Sequence, residues 1–287
     1  MKQSDRWAHR HPTHTKSCHS DRMAAFTDLP TDSSPRRRAR LWWEIAIVLS
    51  LSLGRSAVYS VLSLIEALTR APLSDQQTSL NPGAAPSEVW DVVSQFLSAL
   101  FGFAPVALAI YLLWEPARSG FAKIGLTFER FGRSLGGGVL LVLVIGVPGL
   151  VLYAVGRELG ITVQVDASPL DSSWWTVPLL LLAALRAGLL EEVIMVGYLF
   201  DRLRLLGWNT WTIILSTAVL RGSYHAYQGF GPLIGNMAMG VVFGWVYSRW
   251  GRVMPLVVAH VLIDIIAFVG YPLAAAWWPG VFGPPGG

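Results

Sequence analysis

Seven apolar stretches occupy most of the sequence, and each is long enough, or nearly so, to cross a membrane as a helix. They lie near residues 42–67, 91–114, 136–156, 175–200, 208–224, 232–248 and 254–275. A hydrocarbon core about 30 Å thick takes about 20 helical residues per crossing. Only 14% of the 287 residues are charged, which is too few to cover a water-soluble globule of this size. The sequence therefore predicts an all-α fold, a polytopic transmembrane helical bundle of about seven spans, within a range of about six to eight.

Positive charge alternates between successive loops. Lys and Arg are concentrated before the first span and after spans 2, 4 and 6, whereas segments 70–90 and 157–174 hold few of them. Such an excess marks cytoplasmic loops, and every tryptophan except Trp7 lies near a predicted span end, where indole rings favour the interface. We therefore expect an integral protein of the cell (plasma) membrane with a cytoplasmic N-terminus. The net charge of +4 is mostly this topology signal, so no nucleic-acid partner is expected.

The chain divides by composition into four parts. Residues 1–40 are polar, rich in His, Arg, Ser and Pro, and without apolar periodicity, which predicts a disordered basic cytoplasmic tail. N-terminal transmembrane helices are expected over 41–114, a second group of helices over 115–278, and a short tail over 279–287. The histidines and Cys18 of the first tail could bind a metal, but scattered histidines in a solvated tail are usually incidental.

Glycines recur on the sixth span. The segment GPLIGNMAMGVVFGW contains two GxxxG spacings, Gly231 to Gly235 and Gly240 to Gly244. Small residues at this spacing let a neighbouring helix backbone approach closely. Simple helix contact is the better interpretation, and a close approach that shapes a cavity is the alternative.

Two carboxylates, Glu191 and Glu192, stand side by side in the otherwise apolar stretch RAGLLEEVIMVGYLF, residues 186–200. An acidic residue at the centre of a membrane helix is disfavoured by roughly 2.5 to 3.5 kcal/mol, and two ionised neighbours repel each other. The pair therefore indicates a functional role that offsets the free-energy cost of placing two carboxylates in the membrane.

Two histidines, His225 and His260, lie outside the tail. Arg221 precedes His225 by four residues and Asp264 follows His260 by four, so each pair shares one face of a helix. Intramembrane ionisable groups usually face the bundle interior, where the acidic pair and these residues can converge on one point. Such a set suits water activation, with a carboxylate as general base and imidazoles that bind a metal or stabilise an oxyanion. The alternative for each residue is an interhelical hydrogen-bonding strut.

The same residues form a recognisable pattern. The chain resembles the CPBP family, the CAAX prenyl and bacteriocin-processing intramembrane proteases also called the Abi family, whose motifs are EExxxR, FxxxH and HxxxN or HxxxD on successive core helices. Here the motifs stand as EEVIMV from Glu191, RGSYH ending at His225 and HVLID from His260. The resemblance covers roughly residues 115–275, and it makes 115–278 a CPBP-like intramembrane protease core.

By this resemblance the protein is an intramembrane metalloprotease with five catalytic residues. Glu191 is expected to be the base that activates water, and Glu192 its structural neighbour. His225 and His260 either ligate a divalent metal, with zinc as the expected ion, or orient the water and stabilise the tetrahedral oxyanion. Asp264, where the family more commonly has Asn, either accepts a hydrogen bond from His260 or serves as a further ligand.

Two positions depart from the family pattern. Val196 stands where EExxxR has Arg, and Arg221 stands where FxxxH has Phe, so the cation is displaced from the first motif helix to the second. In the family the Arg is thought to partner the second glutamate, and we expect Arg221 to reach Glu192 across the helix interface. Arg55 in span 1 and Arg186 in span 4 are alternative partners.

Three functions fit this pattern. The first is an intramembrane endopeptidase that hydrolyses a peptide bond of a membrane-associated or prenylated-type protein or peptide, with Glu191 about two turns before the cytoplasmic end of span 4. The second, suggested by Val196, is a catalytically silent family member that acts as a membrane scaffold or immunity factor. The third is a proton-coupled transporter, but neither similar halves nor paired broken helices are visible. The expected partners are the lipid bilayer and a membrane-embedded protein or peptide substrate.

Overall fold

The computed structural model describes residues 34–85, 87–166, 174–270, 272–273 and 277. The predictions for the tail before residue 34, including its histidines and Cys18, and for the tail over 279–287 lie outside these residues. Helices make up 79% of the described chain, and the strands within it are two short segments of three residues each.

The helices follow one another through short connections. In chain order they are α1 (Pro35–Ser50), α2 (Leu53–Arg70), α3 (Glu88–Gly102), α4 (Ala104–Leu112), α5 (Gly120–Lys123), α6 (Phe131–Glu158), α7 (Thr176–Glu191), α8 (Leu199–Leu205), α9 (Thr210–Tyr224), α10 (Phe230–Trp250) and α11 (Met254–Ile265). Two π-helical segments, Glu192–Tyr198 and Ile266–Gly270, directly follow α7 and α11, and 3₁₀ turns cover Leu73–Asp75 and Ala226–Gln228. Each of the seven predicted spans coincides with one or two of these helices.

Within the part of the chain that the structure describes, three helical stretches are both long and apolar enough to cross a membrane: α3 together with α4, α6, and α10. The helices α1 and α2 pass the same test only as a pair, and their axes differ by 57°. The all-α bundle with several membrane-spanning helices is therefore confirmed. The count of seven spans stays a prediction, because α9 and α11 are shorter and the path through α7 carries the acidic pair.

The first predicted span begins early and is bent. α1 starts at Pro35, so residues 35–40, which the sequence assigned to the disordered tail, are helical; proline is favourable there because the first helical position needs no N–H partner. The bend falls just before α2, where the Ser52 hydroxyl donates a hydrogen bond of 2.6 Å to Val48 O and competes with the backbone. A Cβ on Gly54 would lie 2.8 Å from Leu49 O, so the bend also requires glycine.

A small parallel sheet joins two loops at one end of the bundle. β1 (Gln77–Ser79) follows α2, and it pairs in parallel with β2 (Gln164–Asp166), which follows α6. Arg157, at the end of α6, strengthens the junction by donating from Nη1 to Ser74 O and Thr162 O at 3.0 Å each. The sequence did not predict this sheet, because three-residue strands in polar loops show no apolar alternation to recognise.

Glycines on α10 bring it against α9. A Cβ on Gly240 would lie 2.8 Å from Ala218 Cα, and one on Gly244 would lie 3.1 Å from Ile214 Cγ1. The predicted close helix contact is therefore present for this GxxxG pair. The other pair on the same helix faces different neighbours, the loop after α6 and α6 itself.

A second close contact joins α7 to α11. A Cβ on Gly188 would lie only 2.6 Å from Val261 Cγ2 and 3.5 Å from Val257 O. Because Gly188 is less than one turn before the acidic pair, this contact sets how near the carboxylates of α7 come to the polar residues of α11.

Candidate active site

The polar residues singled out by the sequence converge on one place inside the bundle. The end of α7 and the π segment after it contribute Glu191 and Glu192, α11 contributes His260 and Asp264, and His225 lies directly after the last residue of α9. Glu192 is completely inaccessible to solvent, and His260 is 5% exposed. The five predicted site residues therefore share one cluster, in which His225 and Asp264 are partly buried and the other three are buried.

Two of the segments that carry this cluster depart from α-helical geometry. Every residue from 191 to 200 is buried, so the helix is enclosed on all sides and both adjacent carboxylates point into protein. The π segment Glu192–Tyr198 begins at the second carboxylate, and π turns inside helices occur frequently at functional sites. His225 has φ −101° and ψ 0°, in the sparsely populated bridge region where many active-site residues lie.

Glu192 accepts hydrogen bonds from two different helices through one oxygen. Arg221 Nη2 lies 2.5 Å and His260 Nδ1 2.7 Å from Glu192 Oε1. The expected contact between Arg221 and Glu192 is thus present. The guanidinium also lies over the ring of Phe243 at 5.5 Å, and a Cβ on Gly240 would be 3.3 Å from Arg221 Cδ, so α10 leaves room for this side chain.

The two alternative partners of Glu192 are placed elsewhere. The Arg55 guanidinium stacks over the ring of Tyr59 at 5.6 Å. The stem of Arg186 lies against α3, where a Cβ on Gly102 would be 2.5 Å from its Cδ. Arg221 is therefore the cation that neutralises Glu192.

The contact with Glu192 assigns the tautomer of His260. Because the Arg221 guanidinium is paired with Glu192, the Glu192 oxygen accepts and His260 Nδ1 donates, which in the neutral imidazole leaves Nε2 with its lone pair. His260 Nε2 lies 3.7 Å from Asp264 Oδ2, too far for a hydrogen bond. The hypothesis that Asp264 fixes this tautomer is therefore replaced: Glu192 fixes it, and Asp264 lies on the other side of the ring.

Glu191 directs one oxygen at several nitrogen atoms. Glu191 Oε2 accepts a hydrogen bond from the Tyr224 hydroxyl at 2.7 Å. The same oxygen lies 3.7 Å from Arg221 Nη1, 3.8 Å from His225 Nε2 and 3.9 Å from His260 Nε2. These three distances are longer than that of a direct hydrogen bond. They suit a single atom that bridges the carboxylate oxygen and the nitrogens.

Several buried polar atoms around this oxygen lack a hydrogen-bond partner among the described residues. They are both ring nitrogens of His225, Arg221 Nη1 and Glu192 Oε2. A buried polar atom without a partner costs about 1 to 3 kcal/mol, so native proteins usually satisfy such atoms with water or an ion. Polar atoms of this kind around a carboxylate are suited to hold a reacting water.

The cluster also fits a divalent metal. Glu191, Glu192 and His260 each offer a ligand atom, and these atoms lie within 4.8 Å of one another. His225 adds an imidazole nitrogen without a protein partner, and Asp264 adds a carboxylate. Imidazole nitrogen with carboxylate oxygen is a donor set typical of zinc, and the bond from His260 to Glu192 is the second contact that orients a ligating histidine.

Sequence reasoning missed Tyr224. Its hydroxyl contacts Glu191, and its ring is inclined at 46° to the ring of His225 with 4.8 Å between centroids. Its position next to His225 was the available signal, but a tyrosine at the end of an apolar span is as readily explained by the membrane interface.

A scan against protein-family models found one matching segment. Residues 173–266 match the family described as Type II CAAX prenyl endopeptidase Rce1-like. The segment contains all five predicted site residues together with Tyr224 and Arg221. This segment is similar to the CAAX protease family. The resemblance to CPBP proteins is thereby confirmed, and comparison with curated proteins and with solved structures gave no match.

The similarity to the CAAX protease family indicates the broad class of this molecule. The family is one of proteases, and several helices are apolar enough to span a membrane, so these findings point to an integral membrane protein and support a hydrolase. The CAAX protease segment runs from just before α7 to the π turn after α11. The site therefore lies within the matched part of the chain.

Proposed function

We propose that this protein is an intramembrane endopeptidase in which Glu191 activates a water molecule to hydrolyse a peptide bond. The observation that carries the proposal is the position of Glu191 Oε2, which lies 3.7 to 3.9 Å from Arg221, His225 and His260 nitrogens. A water between them can donate one proton to Glu191 while its oxygen faces the substrate.

The proton transfers balance within the site. Glu191 takes a proton from water as the water oxygen attacks the scissile carbonyl carbon, and a tetrahedral intermediate forms. Glu191 then returns this proton to the amide nitrogen, the carbon–nitrogen bond breaks, and a carboxyl and an amine product leave. One residue therefore acts as base and then as acid.

The two histidines have complementary roles in this proposal. His260 presents the lone pair of Nε2, because Glu192 holds its Nδ1 proton, so it accepts a hydrogen bond from the water. His225 is partly exposed, with 20% of its side chain accessible, and both of its ring nitrogens are free to turn one N–H toward the substrate. His225 thus faces the developing oxyanion, which a donor placed beforehand stabilises.

A divalent metal, with zinc as the expected ion, would be held by His225, His260 and the carboxylates of Glu191 or Asp264. Such an ion lowers the pKa of a bound water and polarises the carbonyl. With such an ion bound, His225 and His260 would be ligands, Glu192 and Arg221 would still hold His260, and Glu191 would still move the proton where Asp264 is the carboxylate ligand.

A membrane-delivered peptide fits the depth of the site. The helical path that begins at Thr176 continues through the π segment to Leu205, so Glu191 lies near its middle, farther from the end than the hydropathy of span 4 indicated. We propose a membrane-associated or prenylated-type protein or peptide as substrate. A location in the plasma membrane with the N-terminus in the cytoplasm belongs to the same proposal.

The experiment is a cleavage assay with protein purified in detergent and a library of lipidated and unmodified peptides, read by mass spectrometry. Wild type should cut a subset of peptides, while Glu191→Ala, Glu191→Gln and His225→Ala should not. Arg133→Ala, on the exposed start of α6, is the control and should cut as wild type does. Peptide binding without cleavage in the wild type would contradict the proposal and favour a silent scaffold.

A further inference from the structure

Tyr224 places its hydroxyl on the oxygen that the proposed reaction uses. The Tyr224 hydroxyl lies 2.7 Å from Glu191 Oε2, and the residue is only 6% exposed. Glu191 Oε1 is not the atom engaged. The hydrogen bond is thus made to the same oxygen that faces His225, His260 and Arg221 across longer gaps.

The bond restricts how Glu191 can point. A carboxylate has two equivalent oxygens and rotates freely about its terminal bond unless a partner distinguishes them. One strong donor occupies one lone pair of Oε2 and holds that oxygen toward α9, where it lies 3.8 Å from His225 Nε2 and 3.9 Å from His260 Nε2 with a second lone pair available. Arg221 at 3.7 Å is too far to hold the oxygen in the same way.

The ring and the hydroxyl of Tyr224 act on different residues. The ring packs against the ring of His225, with 4.8 Å between centroids, whereas the hydroxyl donates its hydrogen bond to Glu191. Tyr224→Phe therefore removes one effect and keeps the other, and Tyr224→Leu removes both.

We propose that Tyr224 is a positioning residue that orients the catalytic carboxylate of Glu191. This inference rests on the proposed endopeptidase function. It assigns the tyrosine no contact with substrate: Tyr224 acts through Glu191 by selecting the oxygen and the rotamer that receive the proton from water.

The kinetic test compares Tyr224→Phe with a matched control. Tyr198 is also buried and its hydroxyl also donates to a carboxylate, Glu44 Oε1 at 3.0 Å, but at the far end of the π segment. Tyr224→Phe should lower kcat by between about 10- and 100-fold with KM within about twofold, because a hydrogen bond to a charged group is lost at the reacting atom. Tyr198→Phe should leave kcat unchanged, and equal kcat in wild type and Tyr224→Phe would overturn the inference.

Infrared spectroscopy tests the same contact without any activity. The difference spectrum between wild type and Glu191→Gln isolates the carboxylate stretch of Glu191, and the pair is repeated with Tyr224→Phe in both proteins. We expect the stretch to shift and broaden when the hydroxyl is absent. An unchanged stretch would show that the hydroxyl does not hold this carboxylate, whereas a shifted stretch in a protein that cuts no peptide would contradict the proposed function and leave the positioning contact intact.

Discussion

Arg221 on α9 donates a hydrogen bond to Glu192 at the start of the π segment, with 2.5 Å between Nη2 and Oε1. The two side chains are 1% and 0% exposed, so the ion pair lies wholly inside the protein. A buried charge that loses its partner is strongly destabilising, whereas the intact pair holds two site helices together.

Arg221→Met should destabilise the protein. Glu192 would remain buried and charged without its cation, and we expect the free energy of unfolding to fall by about 3 to 5 kcal/mol, measured by chemical unfolding in detergent. Val196 lies four residues after Glu192 in the π segment and is buried, so Val196→Arg in the Arg221→Met protein should recover part of the loss. No recovery of stability or activity would contradict an exchange of the cation between helices.

Gly188→Ala should separate the two helices that carry the carboxylates and His260. The new Cβ would lie 2.6 Å from Val261 Cγ2, so α7 and α11 must move apart and the bond between His260 and Glu192 must lengthen. We expect activity to fall by about 100-fold, since about 1 Å of misplacement has this effect. The double variant with Val261→Ala should recover activity.

The control for this substitution is Gly136→Ala, on α6. No atom lies within 4 Å of its added Cβ, so activity should be unchanged and stability equal or higher by about 0.5 to 1 kcal/mol. Equal effects of the two glycine substitutions would show that helix propensity, and not the close contact, explains the loss.

We expect the stability of the protein to depend on pH through the carboxylate of Glu115, in the loop after α4. Lys123 Nζ lies 2.7 Å from Glu115 Oε1 and 2.8 Å from Asp201 Oδ1. The hydrogen bond from Lys123 holds the pKa of Glu115 below its ordinary value of 4.5. Because the pKa is lowered by folding, the stabilisation is present above the unfolded pKa and is lost as the pH falls through the folded one.

Glu115→Gln therefore should unfold at a lower temperature than wild type at neutral pH. The difference in thermal midpoint should be small, because the glutamate is about half exposed, and it should close below about pH 4.5. A difference that is the same at pH 7 and pH 3 would exclude the ion pair as its cause.

Zinc content tests the metal-binding part of the proposal. Element analysis of the purified protein should find about one zinc per chain, and His260→Ala should remove it because one imidazole ligand and its link to Glu192 are lost. His14→Ala, in the N-terminal tail, is the control and should leave the zinc content unchanged. Equal zinc in wild type and His260→Ala would exclude this cluster as the metal site.

The sequence predicted the bundle and the site residues for the same physical reason. A charged group in an apolar span has to face protein, so Glu191, His225 and His260 could be assigned to one interior before any coordinates. The π segments could not be predicted, because the pattern of apolar and polar residues does not show where a helix takes up an extra residue per turn. The hydrogen bond of Tyr224 was equally hidden, since it depends on a side-chain direction at the last residue of α9.

The hydrogen bond expected between His260 and Asp264 is not present, and the reason is again one of side-chain packing. The spacing of four residues predicted that Asp264 and His260 lie on one helical face, and the structure places their side chains next to each other. Which side of an imidazole a neighbour occupies depends on the opposing helix, and there Glu192 takes the Nδ1 side. Only the packing of α7 on α11 decides this.

The proton transfer assigned to Glu191 is tested most directly by cleavage of a substrate peptide in water enriched in oxygen-18, with wild type and Glu191→Gln compared in a single turnover. Wild type should place one heavy oxygen in the new carboxyl terminus at every cut, and Glu191→Gln, which keeps the side-chain size but accepts no proton, should form no product. Cleavage by Glu191→Gln at the wild-type rate would contradict Glu191 as the base.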